Sequence, residues 1–139
     1  MGKAFHHLWI SPTAVKYGII FLISGWACHY AFYFTHFFQE MPIKTTYLQL
    51  GVGIGICYFV VALKKWARML CLFFNIGIIA LYVLYCLVFF QSNQYYPMML
   101  TGLTAVLFIL STYFLLKKET AQFYAAANPD VGQQNASDN

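Results

Sequence analysis

The sequence predicts an all-α protein, an integral membrane bundle of four transmembrane helices with both termini on the cytoplasmic side. Three observations predict it. Of 139 residues, 61% are hydrophobic and only 9% are charged, against about 25% charged in soluble domains. Four apolar runs, none interrupted by a charge in its core, are long enough to cross a hydrocarbon layer that needs roughly 20 residues per helix. The basic residues fall almost entirely on one side of that layout.

The first run, 17–38, is preceded by Ser11-Pro12, an N-cap residue type ahead of a proline suited to the first helical turn. It reads as a retained span and not as a cleaved leader, because it is long, lies behind residues 1–16 and is followed by no small-x-small cleavage site. The remaining spans are 46–63, 67–90 and 97–116. The connections are so short that consecutive helices are expected to be antiparallel neighbours. Past Leu116 the chain is expected to continue as an interfacial helix until Asn128-Pro129 stops it, with a disordered polar end at 130–139. The organisation is therefore an interfacial segment over 1–11, a transmembrane domain over 12–118 and a cytoplasmic tail over 119–139.

Orientation follows from Lys3, Lys16, Lys64, Lys65, Arg68, Lys117 and Lys118, which share one side, with only Lys44 on the other. Basic residues stay on the cytoplasmic side during insertion. The expected home is the cell inner membrane. Trp9, Trp66 and Arg68 are expected to anchor the chain at the interface, with Tyr47, Tyr95 and Tyr96 at the span ends. No basic helix or aromatic platform stands outside the apolar runs, so nucleic acid is not an expected partner.

The most informative pattern lies in the first span. Gly18, Leu22, Gly25, His29, Phe32 and His36 follow steps of four and three and so form one helix face. Small residues admit a neighbouring backbone and intramembrane imidazoles face protein, so this face is expected to look into the bundle or into a second subunit. His29 lies near mid-depth and His36 about 10 Å further out; Thr104 and Gln49, at comparable depths, are their expected hydrogen-bond partners. As candidate cofactor residues, His29 and His36 point to a haem- or quinone-linked redox subunit. Bis-histidine haem needs a ligand on a facing helix, and no other span holds a histidine, so only a homodimer would complete it.

The other chemistry-bearing residues narrow the classes. Cys28, Cys57, Cys71 and Cys86 contain no Cys-x-x-Cys pair and all fall within spans, where a thiol packs as a small apolar group. Glu40, Glu119, Asp130 and Asp138 all fall outside the spans, so the buried carboxylate on which small multidrug transporters depend is missing. Gly51-x-x-x-Gly55 has the spacing of a close helix crossing, and with Gly18 and Gly25 it forms the expected helix-packing set. Asn75, Thr101, Thr104 and Ser111 are expected to bond across the bundle.

Leu63-Lys64-Lys65-Trp66-Ala67-Arg68 resembles the basic-Trp-Ala-Arg turn of small bacterial four-span membrane proteins of unassigned function. The resemblance covers this turn and the four-span layout. It implies contact of the basic side chains with anionic headgroups and carries no activity. The function expected is that of a small membrane component with no catalytic residue and no metal site, either a homo-oligomer or an accessory subunit of a larger membrane protein partner. The alternatives are the redox subunit above and an oligomeric transporter or channel built around the first and fourth helices.

Overall fold

The computed structural model describes residues 11–36 and 43–127. These residues form five α-helices and no strand: α1 Thr13–His36, α2 Ile43–Val61, α3 Lys65–Gln91, α4 Tyr95–Leu116 and α5 Lys118–Ala126. The expectations placed on Trp9, on the connection through Glu40 and on the polar end at 130–139 lie outside the described residues.

Helices α1, α3 and α4 are long and apolar enough to cross a membrane; their 24, 27 and 22 residues extend about 33 to 40 Å. The second run is shorter than the other three, with an apolar stretch only from Tyr47 to Val61. It is cut at its end by Leu63, whose φ of 57° is left-handed. Leu63 N donates to Val60 O and Lys64 N to Phe59 O, the paired closure of a Schellman motif. Asn93, with φ of 55°, closes α3 in the same way through Asn93 N to Phe90 O and Gln94 N to Phe89 O. Each reversal lets the next helix begin two residues later.

Helix α4 is the centre of the packing, lying along α1 on one flank and α3 on the other, while α2 touches α1 and α3 much more lightly. Consecutive helices α3 and α4 are close neighbours as expected, but the chief partner of α1 is α4 and not α2. The reason is local. A Cβ placed on Gly18 would lie 3.2 Å from Leu115, and one on Gly25 3.2 Å from the Phe108 ring, so the two glycines let α4 come closer than a side chain would permit. Val15, Ile19, Leu22, Phe108 and Leu115 fill the seam with almost no exposure.

The expected close crossing at Gly51 and Gly55 is not made among the described residues, where a Cβ on either would meet no neighbour within 4 Å. The intervening Gly53 makes it instead. A Cβ there would collide with the Tyr30 hydroxyl and the Trp26 ring. The odd glycine of the Gly51, Gly53, Gly55 series faces α1 because successive helical positions two apart turn by about 200°.

Past Leu116 the chain breaks at Lys117, whose ψ of 141° is extended, and resumes as α5. Thr120 Oγ1 donates to Phe114 O at 2.9 Å. Tyr124, with no exposed surface, donates its hydroxyl to Val60 O at 2.7 Å. This last helix is therefore docked on the ends of α2 and α4, a closer attachment than an interfacial helix requires.

Candidate functional site

The α1 face expected to look into protein does so: Gly18, Leu22, Gly25 and Phe32 are buried, and His29 and His36 are half-buried. Midway along it, His29 Nδ1 lies 2.7 Å from the hydroxyl of Tyr82 on α3, and Tyr82 is itself only 1% exposed. The ring edges of Trp26, Tyr30 and Tyr82 surround the imidazole at centroid distances of 5.2, 5.3 and 5.8 Å. Edge-on geometry is the arrangement favoured by the quadrupoles of aromatic rings. Thr104, the partner expected for His29, donates to Leu100 O of its own helix at 2.8 Å.

Tyr82 was not legible as the partner from periodicity in α1 alone. A signal did exist in α3, where Cys71, Asn75 and Tyr82 stand four and then seven residues apart and so share a face. All three are buried.

His36 occupies the last turn of α1, with Nδ1 2.7 Å from Thr35 Oγ1 and 3.2 Å from Phe32 O. Its ring stacks on Phe32 at 4.8 Å and near Tyr96 at 6.5 Å. Gln49, its expected partner, is not joined to it; Gln49 Oε1 is buried with no hydrogen bond among the described residues. The Tyr30 hydroxyl is instead directed at the Gln49 and Leu50 carbonyls, each at 3.2 Å. The two histidines thus share a helix face, but each is held by its own neighbours and they do not converge on one point.

A second set of polar contacts ties α4 to its flanks. Ser111 Oγ donates to Gly18 O at 3.0 Å, a bond that exists because glycine leaves that carbonyl open to an approaching helix. Asn75 Nδ2 donates to Thr112 Oγ1 at 3.2 Å, and the Cys71 thiol lies 3.8 Å from Asn75 Oδ1. The four cysteines are free thiols.

At the basic end, Arg68 does more than anchor. Its Nη1 donates to Leu115 O at 3.4 Å, and its guanidinium lies 5.8 Å from the Tyr124 ring centroid, so it links α3 to α4 and α5. Burial pushes the Tyr124 phenol well above its ordinary value of 10.0, with the nearby Arg68 charge opposing only in part. Trp66 is 54% exposed and rests against Phe59 at 5.1 Å, consistent with a ring at an interface.

Two openings flank α2. The larger, of about 540 Å³, lies between α1 and α2 and is lined by apolar and aromatic groups, among them Ile23, Trp26, Tyr30, Ile54 and Tyr58. A groove of about 180 Å³ between α2 and α3 has Gly51 and Gly55 in one wall and Trp66 and Leu70 in the other. Among the described residues, no three of His, Cys, Asp and Glu gather so as to hold a metal ion.

Fold and site together define an apolar helical protein of membrane type, with a tightly packed three-helix seam and a loosely held α2. No family model, curated protein or solved structure matches the chain.

Proposed function

We propose that this protein is a non-enzymatic component of a bacterial inner membrane that acts through helix contacts, either assembling with further copies or docking to a larger membrane protein. The observation that carries the reading is the open α2–α3 groove. Among the described residues, a Cβ on Gly51 or Gly55 in its wall, or on Gly77 further along α3, would meet no neighbour within 4 Å beyond its own helical turn. Lipid tails are as apolar as leucine, so helices associate in a bilayer chiefly where small residues let backbones approach. The open glycines are such places.

In this reading α2 is a fourth span and both termini are cytoplasmic. Its 19 residues extend about 28 Å, close to the hydrocarbon thickness, and Lys16, Lys64, Lys65, Arg68, Lys117 and Lys118 stand at helix ends opposite to the one that carries Lys44. The test is the native mass of the particle released from its own membranes in mild detergent. Whole multiples of the chain support self-assembly and additional protein chains support an accessory role; a lone chain with nothing but detergent and lipid would overturn the proposal. A haem-linked role for His29 and His36 is read from the visible absorption spectrum of the same particle, and a quinone-linked one from its ultraviolet redox difference spectrum.

A further inference from the structure

The geometry points to the α1–α2 cleft as a binding site for an acyl chain of an anionic membrane phospholipid, with the headgroup held at Lys64 and Lys65. This rests on the reading of α2 as a membrane span.

The cleft is elongated along the helices. Its lining runs from Ile23 to Tyr30 on α1 and from Gly53 to Ala62 on α2, a length of about 12 Å at 1.5 Å per residue. Its lining is apolar and aromatic along that whole length, the chemistry that a hydrocarbon chain matches. The lips are open. Ile23, Ile54 and Tyr58 are 48, 57 and 58% exposed, so in a bilayer the cleft faces the acyl chains directly. Trp26, which lines the interior, is only 7% exposed.

Charge supplies the selectivity. Val61 and Ala62 line one end of the cleft, and the chain then turns through Leu63 into Lys64 and Lys65, both exposed. The only carboxylate among the described residues is Glu119, on α5. A chain lying in the cleft with its head at this end places its phosphate beside two cations, and each such residue near a membrane surface attracts anionic lipid by about 1 kcal/mol.

The test uses Trp26 as the reporter in full-length Trp9→Phe/Trp66→Phe protein, reconstituted in vesicles containing phospholipids brominated along the acyl chain, which quench indole on contact. Brominated phosphatidylglycerol is expected to quench Trp26 saturably, at a mole fraction roughly thirtyfold lower than brominated phosphatidylcholine. Lys64→Gln/Lys65→Gln is expected to erase the difference between the lipids, and Ala27→Phe, which fills the cleft, to remove the quenching. Equal quenching by both lipids in the parent would overturn the headgroup assignment. No quenching would overturn the site, meaning that α2 closes on α1 or that a protein segment occupies the cleft. A separate chain with Leu48→Trp as its only tryptophan reports α2 itself. Leu48 lines neither the cleft nor the α2–α3 groove and is exposed, so both lipids should quench it; silence there would show that α2 is not in the hydrocarbon and would take the proposal down with the four-span reading.

Discussion

His29 Nδ1 and the Tyr82 hydroxyl, 2.7 Å apart, join α1 to α3, two helices separated in the chain by the whole of α2. Ring contacts of Phe32 with Tyr82 and Tyr85 join the same helices, and the pair adds a polar link to them. Removing one partner strands the other without a bond in a setting where water does not replace it.

His29→Phe and Tyr82→Phe should therefore be non-additive. A double-mutant cycle in detergent is expected to give a coupling of about 0.5 to 1.5 kcal/mol, the range of polar side-chain pairs between membrane helices. Additive effects would show that the contact contributes nothing to stability.

The α1–α4 seam depends on Gly25. Leucine there would drive carbon atoms into the Phe108 ring, which already stands 3.2 Å from an added Cβ, at a cost of about 1 to 3 kcal/mol. Ile20 is 54% exposed and Ile20→Leu should be nearly neutral. The check is the thermal midpoint of each variant in detergent; equal midpoints would place the seam elsewhere.

The three glycines of α2 should behave in two ways. Gly53→Ala forces its methyl group against Tyr30 and Trp26 and is expected to loosen α2 from α1, read as faster proteolysis or hydrogen exchange in α2. Gly51→Ala and Gly55→Ala meet open space and should leave that exchange unchanged. If the α2–α3 groove is an association surface, the same two variants should lower the native mass while Gly53→Ala should not.

Tyr124 makes the docking of α5 sensitive to alkali. Its phenol is held neutral by burial, with a docked value above the ordinary 10.0, so the docked state binds the proton more tightly than the free one. Docking is accordingly at full strength below about pH 10 and weakens as the pH rises from there through the elevated value. Tyr124→Phe loses the bond to Val60 O, about 1 kcal/mol, and should flatten that alkaline dependence. Protease sensitivity of α5 against pH reports both; an unchanged pH profile in the variant would assign the effect to another group.

The helical content and the apolar runs were readable because composition and span length are properties of consecutive residues. So was the buried face of α1, since a helix converts spacing of three and four into direction. The glycines illustrate the boundary. Gly18 and Gly25 belonged to that face and abut Leu115 and Phe108, but a Gly-x-x-x-Gly spacing in α2 says only that two small residues share a side. It does not say which side a neighbour takes, and the neighbour sits at Gly53. Asn93 is a residue type that accepts the left-handed turn, whereas Leu63 is not; its φ of 57° arises where the Schellman closure and the burial of its side chain outweigh a backbone cost of roughly 1 to 2 kcal/mol.

The sequence by itself determined that this chain is helical, apolar and of membrane type, with its first helix turned inward. Only the tertiary structure decided that α4 packs between α1 and α3, that Tyr82 and not Thr104 meets His29, and that Tyr124 docks α5 on the end of α2. Local pattern sets the face a helix presents through the geometry of its own turns. Which helix meets that face depends on the simultaneous fit of side chains from distant segments, and no single run of residues contains that information.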